Sequence, residues 1–197
     1  MKLAAGTLAP AFETEDIFGQ PVVLHAAMQN PVLLSFYRNG ACALCNLQVH
    51  KLIQKYPAYH AQGLNIIAVF ESPSESVLQY VGKQDAPFPI IADPDAHLYE
   101  LFGVETSEAK AMANLNNPKQ AQHVQEAEAI GYKLTREEGS NFYRMPADFL
   151  ICPDLTIQSA FYSDVVGDHL AFDEIEAFLQ EHMGFSPVAR FGAYRPS

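Results

Sequence analysis

The stretch FYRNGACALCNLQVHKL, Phe36 to Leu52, sets Cys42 and Cys45 three residues apart where an apolar run gives way to a helical pattern. Two thiols at this spacing have three uses: a dithiol/disulfide couple, half of a metal site, or inert packing. On the first turn of a helix, residues three apart share a face with Cβ atoms roughly 5–6 Å apart, close to what a disulfide needs. The helix N-terminus also presents unpaired N–H groups and the positive end of the macrodipole, which favour the reactive thiolate. Arg38, in the loop before the pair, would add positive charge. A zinc site needs about four ligands. Near the pair only His50 offers another, and no second Cys-x-x-Cys exists, so no metal is expected. Inert thiols fit poorly because NGACALC offers little apolar cover. Redox chemistry is the favoured reading, with a zinc site and inert thiols as the alternatives.

The elements that must hold this pair follow from apolar patterning. Pro31 to Tyr37, PVLLSFY, has the length and β-prone composition of a strand covered on both faces. From Cys42, the residues Leu44, Leu47, Val49, Leu52, Ile53 and Tyr56 fall near helical spacing, Pro57 is expected to bend or end that helix, and Gly63 precedes the next strand. LNIIAVF, from Leu64 to Phe70, is a second buried strand. Ser72 and Pro73 predict the N-cap and first turn of a helix reaching about Gly82. FPIIAD is a third strand and AHLYELFGV a short helix. ADFLI and LTIQSAFY are two more strands, and FDEIEAFLQEHMG is a closing amphipathic helix capped by Gly184. AFETED and PVVLHAA around IFGQ predict an N-terminal hairpin. The order is βαβ, then βα, then ββα: an α/β fold.

Two segments interrupt this order. Residues 105–143 are polar and rich in Ala, Gln and Glu, and NNPKQ offers Asn117 as N-cap, Pro118 at the first helical position and Gln120 as capping-box partner. This predicts a helical insertion, read first as a surface excursion and second as a lid or partner surface. The tail 185–197 alternates Phe185, Phe191 and Tyr194 with Arg190 and Arg195. It is expected to pack on its own domain rather than across a homodimer, which is the other arrangement.

With 23 acidic against 12 basic residues and a formal charge of −11, the chain would repel a phosphate backbone or an anionic membrane surface, which argues against both as partners. No run approaches the roughly 18 apolar residues of a membrane span, and MKLAAGTLAP lacks a signal-like apolar core. Three cysteines do not make a secreted disulfide scaffold. The expectation is a soluble cytoplasmic chain of one domain, residues 1–197. If Pro146 lies at the cysteine end of the sheet, Cys152 sits on the order of 20 Å farther along an extended strand and serves as a small structural residue.

These residues resemble a known family. GTLAPAFETEDIFGQPVVL carries Gly-x-x-Ala-Pro-x-Phe and then Gly-x-x-Val-x-Leu, and VLLSFYRNGACALC, YRMPADFLICPDLTI and DHLAFDEIEAFL follow in order. Together they are similar to the peroxiredoxin-like and thioredoxin-like antioxidant superfamily, the alkyl hydroperoxide reductase/thiol-specific antioxidant family, in its Cys-x-x-Cys branch. The resemblance covers 1–104 and 143–183.

It implies a thioredoxin-like fold with a central mixed sheet, Cys45 at the peroxidatic position, and Cys42 where typical members have threonine. Where members usually carry a peroxide-orienting arginine, this chain has Pro146, with Arg144 two residues earlier. Pro146, Arg38 and Arg144 are thus the expected substrate-positioning residues, and Met145–Pro146 is expected to be cis. Ala41 and Ala43-Leu44 stand where thioredoxins have Trp and Gly-Pro.

The implied activity is hydroperoxide reduction through a Cys42/Cys45 cycle regenerated by an external dithiol, with no cofactor. The alternative enzyme is a protein-disulfide reductase with Cys42, expected to be the more exposed thiol, as nucleophile. The non-enzyme alternative is a binding module with structural or zinc-bound cysteines.

Overall fold

In the computed structural model, residues 1–26, 28–114, 117–133 and 135–181 are described. The apolar run after Pro31 forms strand β3 (Val32–Phe36), buried along its whole length. Its neighbours are β4 (Asn65–Phe70), parallel, and β6 (Ala147–Ile151), antiparallel. Strand β5 (Ile90–Ala92) extends the sheet beyond β4 and β7 (Ile157–Tyr162) beyond β6, giving the mixed order β5-β4-β3-β6-β7. The predicted N-terminal hairpin is a separate antiparallel pair, β1 (Phe12–Glu15) and β2 (Pro21–Leu24).

Side-chain alternation along β3 divides the core in two. Leu33 and Tyr37 join helix α1 (Ala43–Ala61), Val77 of α2 (Ser74–Tyr80) and Ile175 and Phe178 of α6 (Phe172–Glu181) in one cluster. On the other face, Val32, Leu34 and Phe36 pack with Val22 and Leu24 of the hairpin and with Leu98 and Tyr99 of α3 (His97–Leu101). A sheet covered on both faces needs continuous apolar strands, which is what β3 and β4 supply.

The insertion 105–143 contains α4 (Glu108–Ala113) and α5 (Pro118–Ala129). Asn117 caps α5 through Lys119 N–H at 2.9 Å. The capping box does not form: the Asn117 N–H goes to Asn114 O at 2.9 Å, and Gln120 Oε1 has no partner among the described residues. The preceding helical turn supplies the acceptor that Gln120 would have offered. Helix α5 lies along α1, with Lys51 paired to Glu126 at 2.6 Å.

Three boundaries differ from the patterning. Helix α1 continues through Pro57 to Ala61, because Tyr59 in the turn beyond is buried, is bonded through its hydroxyl to Glu176 at 3.3 Å, and accepts the Leu64 N–H. Pro73, not Ser72, is the N-cap of α2, since the Ser72 hydroxyl is committed to the cysteine loop. That helix ends at Tyr80 and a 3₁₀ turn carries the chain to Gln84. The proposed cap Gly184 and the tail 185–197 lie outside the described residues. Among the described residues no helix is long and apolar enough to cross a membrane.

Candidate active site

Strand β3 leads through Tyr37–Ala41 into α1, so the pair Cys42/Cys45 stands at the C-terminal end of the central strand, at the start of a 19-residue helix. Cys42 is the N-cap, in an extended conformation, and its Sγ accepts the Cys45 N–H at 3.3 Å. The two sulfurs are joined as a disulfide, with Cα atoms 5.2 Å apart. One turn of helix therefore supplies both the bridging geometry and a field that stabilises negative sulfur.

The loop is held from beneath. Asn46, buried on the first turn, donates to Gly40 O at 2.8 Å and Cys42 O at 3.0 Å and accepts from Gln84 at 2.9 Å. The Gly40 N–H donates to Ser72 Oγ at 2.9 Å. A Cβ on Gly40 would lie 3.1 Å from the Ser76 carbonyl, so a side chain there would need α2 to give by a few tenths of an ångström. Gly167, at φ +80°, similarly lies where a Cβ would come within 2.8 Å of Leu44, between the two cysteines.

It is also covered from above, contrary to the expectation of little cover. The end of the insertion, residues 135–143, crosses the loop. Ala41 N–H donates to Glu137 Oε2 at 3.2 Å, and Asn39 Nδ2 donates to Ser140 Oγ at 3.2 Å. Cys42 is 3% and Cys45 2% exposed. Both cysteines are nearly inaccessible, so Cys42 has no marked advantage in exposure of the kind that helix geometry by itself suggested.

Arg38 is half-buried at the base of this loop, its guanidinium 4.9 Å from the Phe142 ring centre. Burial lowers its pKa to about 10, and its Nε has no hydrogen-bond partner among the described residues. Arg144 is buried in a forked ion pair: Nε reaches Glu71 Oε2 at 2.6 Å and Nη2 reaches Oε1 at 3.0 Å. Its Nη1 donates to Val104 O at 2.5 Å, and the guanidinium stacks on Tyr99 at 4.6 Å.

Pro146 follows from the β3–β6 register: Phe36 faces Ala147, which puts Pro146 beside Tyr37 at the loop end of the sheet. The Met145–Pro146 bond is trans, contrary to expectation. Met145 N–H bonds to Glu105 O and Pro146 O accepts from Ser163 at 3.0 Å, so the chain enters β6 already extended and paired on both sides. Cys152 remains a thiol packed at the edge of the core, its pKa raised by burial and then by Asp154.

The sequence reading missed Glu137, Ser72, Asn46 and a buried dyad. Asp148, in the apolar run ADFLI, accepts from His169 Nδ1 at 3.0 Å and from Leu170 N–H at 2.7 Å. The His169 ring lies 4.7 Å from Tyr37, whose pKa is raised by burial and then by Asp148. His169 Nε2 and His123 Nδ1 are both buried without a partner among the described residues, and both line a cavity of about 140 Å³ against Leu44 and Gln48. A carboxylate inside a strand of five buried residues was the visible signal for Asp148; nothing local marked its histidine. Among the described residues no group of three His, Cys, Asp or Glu side chains is placed to hold a metal ion.

A sequence model of the AhpC/TSA family matches residues 5–160. The thiol-disulfide oxidoreductase ResA of Halalkalibacterium halodurans is 29% identical over 101 residues, 51% of this chain and 57% of that relative. Peroxiredoxin Bcp of Escherichia coli is 26% identical over 102 residues, 52% of this chain and 65% of its own length. The chain thus spans between half and two thirds of the curated relatives it matches. Among solved structures, peroxidoxin BcpB from Mycobacterium tuberculosis superposes with a TM-score of 0.65 at 16% identity, over 91% of this chain and 97% of that one. A putative thiol:disulfide interchange protein DsbE from Chlorobium tepidum gives 0.58 at 20% identity, over 93% and 99%. Both confirm a thioredoxin-like fold.

Proposed function

The chain belongs to the AhpC/TSA family, and on that premise we propose that it is a thiol-dependent oxidoreductase that reduces hydroperoxides by cycling Cys42 and Cys45. The Cys45 thiolate attacks the O–O bond of ROOH, giving Cys45 sulfenic acid and, after protonation, ROH. The Cys42 thiol then condenses with it, forming the disulfide and releasing water. An external dithiol reduces the disulfide by two electrons and is itself oxidised. The observation that carries a small substrate is the burial of both sulfurs, Cys42 3% and Cys45 2% exposed, in a loop to which Glu137 and Ser140 bond. A peroxide needs little room, whereas a folded protein's disulfide would need the loop to open.

A second reading, protein-disulfide reductase, is favoured by one feature: the forked bond to Glu71 and the bond to Val104 engage Arg144 Nε, Nη1 and Nη2 and so keep it from orienting a peroxide. Pro146, at the loop end of β6, would present its strand edge to either substrate. In both readings residues 1–197 act as one domain in the reducing cytoplasm, and a homodimer is compatible with either. The test is peroxide consumption by Cys42→Ser and Cys45→Ser. Peroxidase chemistry expects Cys42→Ser to retain a sulfenic acid trappable by dimedone and Cys45→Ser to leave peroxide untouched. Mixed disulfides formed only through Cys42, with neither variant consuming peroxide, would transfer the function to the second reading.

A further inference from the structure

Between α1, α5 and residues 167–172, the approach to α6, lies a cavity of about 140 Å³. Leu44, Leu47, Leu170 and Phe172 give it apolar walls, and Leu44 stands between the two cysteines in the chain. The charged residues of the wall are already matched: Lys51 pairs with Glu126 and Asp168 with Lys119, each at 2.6 Å. What the wall leaves open are two ring nitrogens, His169 Nε2 and His123 Nδ1, both buried and without a hydrogen-bond partner among the described residues.

The His169 side chain is 2% exposed and its orientation is fixed from β6. The two Asp148 oxygens lie 3.1 and 3.0 Å from its Nδ1, and one of them also accepts the Leu170 N–H at 2.7 Å. A carboxylate takes the ring proton on that side, which leaves Nε2 with a lone pair to offer the cavity. Burial, and after it Lys51, lowers the pKa of His123, so that ring is neutral near pH 7 and its Nδ1 can donate or accept. A buried acceptor that bonds nothing is costly.

We propose that this cavity binds a small neutral hydroxyl compound with an apolar stem, an alcohol or an alkyl hydroperoxide, whose O–H donates to His169 Nε2 and whose oxygen bonds to His123 Nδ1. The stem packs on the four apolar walls. An ion would meet no free countercharge here, and a hydrocarbon would leave both nitrogens unbonded. A cavity of about 150 Å³ holds a benzene molecule, so about six heavy atoms fit. Neither cysteine lines the cavity, so the site lies beside the pair and is not the place of attack on sulfur. The alcohol and the hydroperoxide are the organic product and reactant of the cycle proposed above. The link to turnover rests on that reading; the binding does not.

Binding is measured on the oxidised protein, whose disulfide consumes no peroxide. tert-Butanol, tert-butyl hydroperoxide and methyl isopropyl ether, an isomer of tert-butanol without an O–H, are titrated by NMR into methyl-labelled wild type and His169→Gln, with circular dichroism as the check on folding. The two O–H compounds are expected to shift the Leu44 and Leu170 methyl signals and to bind about fivefold more tightly than the ether, the worth of one net hydrogen bond. His169→Gln can still donate to Asp148 but takes the acceptor out of the cavity, and should abolish that preference. An imidazole nitrogen spectrum of the wild type gives the answer if that variant does not fold: the His169 Nε2 signal should move with tert-butanol and stay in place with the ether. Equal binding of alcohol and ether, shifts confined to other residues, an Nε2 signal that no probe moves, or a preference unchanged in folded His169→Gln overturns the site. So does binding of no probe, which leaves the two nitrogens to water.

The ratio of the two O–H affinities then separates the sources. Tighter binding of the hydroperoxide identifies the reactant, and tighter binding of the alcohol identifies the product. Failure of the reduced protein to consume any peroxide refutes the redox reading, and the titrations still decide the site.

Discussion

Glu137 carries two separable effects on the cysteine pair, and two substitutions distinguish them. Its carboxylate bonds to the amide of Ala41, one residue before Cys42, at 3.2 Å. Consecutive Cα atoms are about 3.8 Å apart, which sets the distance from this charge to a Cys42 thiolate at roughly 6 Å. With an effective dielectric of about 20, two unit charges at that distance repel by about 2.8 kcal/mol, and screening by physiological salt leaves about half. Glu137→Gln keeps an acceptor for Ala41 but removes the charge. Its reduced form should react with iodoacetamide up to about tenfold faster at a pH where the thiols are mostly protonated.

Glu137→Ala also removes the hydrogen bond holding residues 135–143 over the loop. A bond to a charged acceptor contributes about 1.5–3 kcal/mol when buried, and about 1 kcal/mol is reasonable at this half-exposed position. One kilocalorie per mole is roughly fivefold in an opening equilibrium. Glu137→Ala should therefore gain a further fivefold with a bulky polymer-linked maleimide, and little more with iodoacetamide. Alkylation rates read by gel shift or intact mass give all four numbers. If bulky and small reagents speed up equally in Glu137→Ala, the segment does not gate access. If Glu137→Gln is no faster than wild type, the carboxylate does not oppose the thiolate.

Three further outcomes follow from the geometry. Arg144→Ala strands Glu71 as a buried charge and should cost about 3–5 kcal/mol in chemical denaturation, with Arg144→Lys a poor rescue because an ammonium cannot reproduce the fork. Gly167→Ala combines a positive φ with a Cβ 2.8 Å from Leu44, and should lower stability by about 1–3 kcal/mol, more than Gly139→Ala, which has φ +75° but nothing within 4 Å. Burial, and after it Lys51, depresses the pKa of His123, so the unfolded chain takes up its proton first. The stability from keeping this ring neutral is present above about pH 6.5 and is lost as pH falls toward the folded value, so His123→Gln should flatten the denaturation midpoint across that range.

What could be read along the chain was what depends on a few adjacent residues. The apolar run from Val32 to Phe36 became the buried central strand, and the three-residue spacing of Cys42 and Cys45 became a bridged pair at a helix N-terminus. Asn117 and Pro118 opened α5 as their types dictate. The rise of a helix, the pleat of a strand and the chemistry of a cap act over one to four residues, so residue order alone determines them.

The tertiary structure decided how the site is enclosed. Ala41 meets Glu137 across 96 residues, Arg144 meets Glu71 across 73, and Asp148 meets His169 across 21. Ser72 looked like a helix cap until the fold brought the Gly40 amide to its hydroxyl, and Met145–Pro146 is trans because pairing with Glu105 and Ser163 flanks it with extended chain. No local pattern encodes such partners. They exist only after the sheet has closed and loop entropy has been spent, when each polar group buried at the end of β3 must take whichever distant donor or acceptor the packing delivers.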